Sequence, residues 1–126
     1  MNPANITCQT GKLTSEPFFL KNKEGTEFAF ISTLAVKRNY KNREGKYDLD
    51  YIPIRYEGIN KMKFAHMLKK DDYLTVSGTI KSDRYKKDGV DIYTIYLLVE
   101  SIQYTPRNKE NIEKPESEVL DESLPL

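Results

Sequence analysis

The 126 residues are enough for one domain with its own core and leave little room for a second. With 31% charged side chains and no apolar run near the roughly 18 residues a spanning helix needs, the composition argues against a membrane segment. One cysteine, Cys8, and one histidine, His66, exclude an internal disulfide and a Cys/His zinc centre, and a lone thiol agrees with a reducing, cytoplasmic setting.

The formal charge of +1 hides an asymmetry. Residues 108 to 126 carry two basic and six acidic side chains, a net −4, which leaves residues 1 to 107 with eighteen basic and thirteen acidic, a net +5. A basic body joined to an acidic tail can attract a polyanion with one part and compete for it, or recruit a partner, with the other; both can also be solvating charge.

In chain order, MNPANITCQTGK lacks the charged-then-apolar pattern of a signal peptide, and ITCQTGKL opens the body as a first strand. KNKEG, residues 21 to 25, predicts a reversal, because its glycine suits positive φ. FAFISTLAVKRNY, residues 28 to 40, is long for a strand and is expected to bend or bulge. After the KNREG turn (41 to 45), DLDYIPIRYEG alternates Ile52, Ile54 and Tyr56 with Tyr51, Pro53, Arg55 and Glu57, with Pro53 favouring an edge, a bulge or an unpaired position. INKMKFAHMLKK, residues 59 to 70, is rich in helix formers and predicts one short helix. YLTVSGTIKSDRY places Leu74, Val76 and Ile80 on one parity of a fourth strand. KKDG (86 to 89) turns the chain, and residues 91 to 104 form the last strand, in which Leu97, Leu98 and Val99 suggest cover on both faces. From Asn108 onward aromatics stop and charge and proline dominate, so residues 108 to 126 are expected to be a disordered acidic tail following a domain of residues 1 to 107.

Three strands, a helix and two strands give an all-β class with one short helix. A five-stranded barrel in that order is the oligonucleotide/oligosaccharide-binding (OB) fold.

Catalysis finds no material. There is no GxxxxGK[ST], GxGxxG or GxSxG, and His66 stands among Phe64, Ala65, Met67 and Leu68. Asp48 with Asp50, and Asp71 with Asp72, read as solvated acids at strand ends and turns. We therefore expect no enzyme, no cofactor and no metal.

Binding finds more. KRNYKNREGK sets Lys37, Arg38, Lys41, Arg43 and Lys46 around Tyr40, and KSDRYKK sets Lys81, Arg84, Lys86 and Lys87 around Tyr85. Single-stranded nucleic acid asks for this mixture, since cations neutralise phosphates and aromatic faces stack on unpaired bases. Neither patch is specific alone.

TLAVKRNYKNREGKYDLDYIPI, followed by Gly58, Ala65 and LKKDDYLTVSGTIKSDRY and then DGVDIYT, resembles the bacterial and phage single-stranded DNA-binding proteins over about residues 5 to 104. The resemblance implies a barrel that usually assembles as a homotetramer and wraps single-stranded DNA without chemistry. It places stacking aromatics at Tyr40, Tyr51 and Tyr85 and basic contacts at Lys37 or Arg38, Arg55 and Lys81. Glu57 and Asp83 depart from it, standing where relatives have aromatic or basic residues, and Thr7 and Gln9 make the first strand more polar, so a dimer or monomer stays open beside the tetramer. It also implies that the tip LDESLPL docks on replication or repair enzymes, Asp121 and Glu122 attracting a basic rim and Leu124, Pro125 and Leu126 inserting. A barrel used as a protein-interaction module and an RNA-binding barrel are the alternatives.

Overall fold

The computed structural model describes residues 2 to 104. The segment read as a disordered tail, including Asp121, Glu122, Leu124, Pro125 and Leu126, lies outside the described residues.

The strands are β1 (Thr7–Leu13), β2 (Phe18–Lys21), β3 (Glu27–Lys41), β4 (Tyr47–Glu57), β5 (Tyr73–Lys87) and β6 (Val90–Tyr104). Neighbours run β1-β5-β6-β4-β3-β2, and β1 also pairs with β3 through Lys12 and Leu13, so β1, β3, β4, β6 and β5 close a five-stranded barrel. All ladders are antiparallel except β4 with β6. This is the expected OB architecture, with β2 as an extra short strand on the outside of β3. FFLK lacks the alternation that marks a strand, and it pairs because the turn at residues 22 to 26 folds it back onto β3.

That turn and the next are built alike. The Asn22 side-chain oxygen accepts the Glu24 and Thr26 N–H groups, and that of Asn42 accepts those of Glu44 and Lys46. Such Asn turns replace the lost ladder bonds, and each closes on a glycine at positive φ, Gly25 and Gly45. The β5–β6 hairpin uses two residues, Asp88 (φ 52°) and Gly89 (φ 80°), whose left-handed pair matches the strand twist.

The barrel interior takes Leu13, Phe30, Leu34, Ile54, Tyr56, Leu74, Val76, Leu97 and Val99, all buried. Leu98, which the sequence suggested was covered too, is half-buried on the outer face. β3 carries the expected irregularity, a register shift between Lys37 and Lys41 opposite β4. Pro53 is tolerated because Thr33, opposite it, gives its carbonyl to the Thr14 N–H, and the β4–β6 ladder starts only at Ile54.

The helix is shorter than residues 59 to 70. A 3₁₀ turn, Ile59–Lys61, leads into α1, Met62–Ala65, and the chain then tightens, with the Met67 and Leu68 N–H groups donating to Phe64 and Ala65. Met62, Ala65 and Leu68 are the residues it buries; their spacing of three suits tight turns, not a long α-helix. Asp72, 5% exposed, stops it by accepting the Lys69 N–H at 2.8 Å. No helix among the described residues is long and apolar enough to cross a membrane.

Candidate nucleic-acid interface

Register places the binding candidates on two different faces. Phe30, Leu34 and Ile54 point into the barrel, so the intervening residues of β3 and β4 point out, and cross-strand pairing joins them into rows. One row runs Phe18, Ile31, Arg55, Leu98 and Thr79 across β2, β3, β4, β6 and β5. Further along, Thr33 faces Pro53, Ala35 faces Tyr51 and Lys37 faces Leu49, while on the other hairpin Lys81 faces Tyr96 and Tyr85 faces Ile92.

This outer face therefore carries Lys37, Tyr51, Arg55, Lys81, Tyr85 and Lys87. Tyr51 is 63% exposed and Tyr85 50%, open enough for a base to lie on either ring. Tyr47 joins them: Lys37 Nζ stands 4.9 Å and Lys41 Nζ 5.9 Å from its ring centroid. The aromatic face holds both ammonium groups at the surface.

Arg38 and Tyr40 fall on the other face of the β3–β4 arm. Arg38 reaches across to Asp50, with Nη2 donating to Oδ1 at 2.8 Å and Nε to both carboxylate oxygens, and it lies 3.9 Å from Asp48. The pair raises the guanidinium pKa, the hydrogen bond to Asp50 being the chief cause and the nearby Tyr40 hydroxyl adding to it. It likewise holds the Asp50 carboxyl below the ordinary range. Arg84 and Lys86, opposite Tyr93 and Asp91, also continue the core-facing side, and Arg43 stands exposed in the β3–β4 turn.

Glu57, a departure from the resemblance, is paired: Arg55 Nε donates to its Oε2 at 2.6 Å, so acid and base largely cancel at that corner. Asp83 keeps its place between Lys81 and Tyr85 and forms no ion pair among the described residues. His66 is structural in its contacts. Its ring stacks on Phe19 at 4.0 Å between centroids, and Nε2 meets Glu27 Oε1 at 2.6 Å, tying the α1 region to β2 and β3.

Tyr47, Tyr93 and Tyr96 were not singled out in the sequence. The parity of Tyr47 with Tyr51 was a readable signal for the first, while Tyr96 needed the pairing with Lys81. Phe18, 65% exposed, stayed hidden because its strand was not expected.

The pattern of the single-strand binding protein family matches residues 4–105. Single-stranded DNA-binding protein 3 of Clostridium acetobutylicum is 36% identical over 102 residues, covering 79% of this chain and 69% of that protein. Single-stranded DNA-binding protein B of Bacillus subtilis is 29% identical over 109 residues, covering 83% and 96%. In fold, the chain is similar to a Plasmodium falciparum SSB solved in complex with ssDNA, with a TM-score of 0.70 at 13% identity, covering 84% of this chain and 98% of that one. A closed barrel bearing exposed tyrosines among cations, and a family match across its whole length, lead to one conclusion: the chain belongs to the single-strand binding protein family.

Proposed function

We propose that the chain binds single-stranded DNA without sequence preference and protects it during replication, recombination or transfer of a phage or mobile element, without catalysing a reaction on it. The observation that carries this is the outer face, where Tyr47, Tyr51 and Tyr85 stand among Lys37, Lys41, Arg55, Lys81 and Lys87. Stacking is indifferent to base identity and phosphate neutralisation is indifferent to sequence, so the combination binds strands as such. The strand crosses the outer face first and reaches Tyr40 and Arg38 by passing round the β3–β4 arm, with Arg43, Arg84 and Lys86 meeting phosphates on the way.

Fluorescence titration with oligo(dT) tests this. Binding should be saturable, with a log–log salt slope of about −0.7 per phosphate contacted. Absence of saturable binding at low salt would end the proposal.

The chain acts, in this reading, as a homo-oligomer in the cytoplasm. Thr7 to Gly11 pair with β5 on one side, while β1 meets β3 only at Lys12 and Leu13, so one edge of β1 is open to a second copy. A tetramer is favoured over a dimer from the sequence resemblance, and light scattering decides between them. The acidic tip with Asp121, Glu122, Leu124, Pro125 and Leu126 recruits replication or repair enzymes. Deleting residues 120 to 126 should abolish that recruitment and leave oligo(dT) affinity intact or slightly tighter.

A further inference from the structure

The outer face also carries an apolar groove of about 490 Å³ that the resemblance to relatives did not single out. It opens where the β4–β6 ladder ends: Ile54 is the first β4 residue paired with β6, and Pro53, which has no N–H to extend the ladder, lines the groove together with Tyr96. Ile31 and Phe18, paired across β3 and β2, continue the lining, and Ile95 adds to it. Phe18, at 65% exposed, is a large apolar side chain left open to water, which a solitary barrel has no packing reason to keep.

We infer that this groove is an additional nucleobase site, in which one unpaired base of the bound strand lies against Phe18 and Tyr96. The inference rests on the single-stranded DNA reading. Three observations favour a base as the occupant. The groove is continuous with the tyrosine track, because Pro53 separates Tyr51 from Arg55 on one face of β4, a span of about 13 Å. Its charged lining residue is a cation, Arg55, which must release Glu57 to hold a phosphate, while Lys81, opposite Tyr96 on β5, has no ion pair among the described residues, so a phosphate flanking an inserted base meets the Lys81 ammonium directly. Thr33, on the outward parity of β3, brings a hydroxyl that can donate to or accept from any base edge, which suits binding without sequence preference, while the Ser32 hydroxyl is already engaged with Ser15.

The extra strand gains a purpose in this arrangement. β2 extends the sheet beyond the barrel and delivers Phe18 to the groove, while Phe19, its neighbour of opposite parity, anchors the strand on His66 and Phe30. One residue holds β2 down and the next presents a ring.

The test uses the full chain and oligo(dT) carrying 5-iododeoxyuridine. Irradiation should crosslink the oligomer to a peptide containing Phe18 or Tyr96, located by mass spectrometry. Phe18→Ala should weaken oligo(dT) binding about five- to a hundredfold, as for loss of one stacked base, with Tyr51→Ala as the comparator on the proposed tyrosine track. Phe18→Leu, which keeps apolar bulk but no ring, should fall between wild type and Phe18→Ala, and unchanged circular dichroism and melting verify the fold of each.

If wild type binds and Tyr51→Ala weakens it while Phe18→Ala stays within twofold and no groove peptide crosslinks, the groove inference is overturned and DNA binding stands. If Phe18→Ala instead changes the subunit count by light scattering, the groove is a contact between copies and the inference is likewise overturned. If wild type does not bind oligo(dT), the underlying reading has failed.

Discussion

Arg38 and Asp50 form a forked ion pair across the β3–β4 arm, with three N–H···O contacts of 2.8 to 3.2 Å. Asp48 reinforces it from 3.9 Å and is itself held by the Asn42 side-chain amide at 3.0 Å. A guanidinium engaged in this way must exchange a carboxylate for a phosphate before it can grip DNA, so Arg38 contributes less to affinity than its charge suggests.

Asp50→Asn should therefore tighten binding. It leaves Arg38 free to neutralise a phosphate, and the log–log salt slope should steepen by about 0.7. Oligo(dT) titrations at several salt concentrations measure both. The pair also titrates: because Arg38 lowers the folded-state pKa of Asp50, the stability it confers is present above the ordinary carboxylate pKa of about 4 and is lost as pH falls through the lower folded value. Acid-unfolding curves of wild type and Asp50→Asn should converge at low pH. An affinity unchanged by the substitution would mean that Arg38 never meets the strand.

The split of tyrosines between two faces predicts a dependence on strand length. Tyr51→Ala and Tyr85→Ala should each cost about 1–3 kcal/mol with oligomers just long enough to cross the outer face. Tyr40→Ala should show its loss only with longer strands that pass round the arm, because Tyr40 sits beside Arg38 on the opposite side. Titrating a length series of oligo(dT) against the three variants separates these cases. Equal losses for Tyr40→Ala and Tyr51→Ala at the shortest length would contradict the path proposed.

Strands were legible in the sequence wherever one face is dry. Leu74 and Val76, or Ile52, Ile54 and Tyr56, announce their strands by alternation. β2 was not legible, since FFLK holds four residues without alternation and depends on β3 for its pairing. The helix was overextended because helix-forming composition outweighed the spacing of Met62, Ala65 and Leu68, which is that of a tight turn. In the candidate site, the residue types were readable and their geometry was not. Tyr40 and Tyr51 look equivalent in sequence, yet register sends them to opposite faces; Asp50 is twelve residues from Arg38 and becomes its partner only once the hairpin closes. Charge partners across a turn of unknown register cannot be assigned from spacing alone.

Gly78 predicts a stability effect with no functional counterpart. It sits opposite Val99 where β6 bulges by one residue, Glu100, and a Cβ there would overlap the Leu98 carbonyl. The backbones of β5 and β6 approach too closely there for any side chain, and β6 cannot withdraw because Leu97 and Val99 are fixed in the core. Gly78→Ala should lower the unfolding free energy by about 1–3 kcal/mol, the range for overpacking a well-packed interior. Urea unfolding measures this, and a variant within about 0.5 kcal/mol of wild type would mean that the ladder yields more easily than its packing implies.

Tyr56 couples the stability of the barrel to pH at the alkaline end. Its ring packs edge-on against Phe30 at 5.7 Å between centroids, and burial pushes its hydroxyl pKa up from the ordinary value. An unfolded chain releases that proton near pH 10, whereas the folded barrel retains it to higher pH, so the native state binds more protons in between and stability falls as pH rises. Tyr56→Phe removes the ionisable group while keeping the ring. The loss of urea midpoint between about pH 8 and pH 11 should then be smaller in Tyr56→Phe than in wild type, although all other tyrosines remain. Parallel losses in the two proteins would place the alkaline sensitivity elsewhere and show that the Tyr56 hydroxyl stays well solvated at the barrel wall.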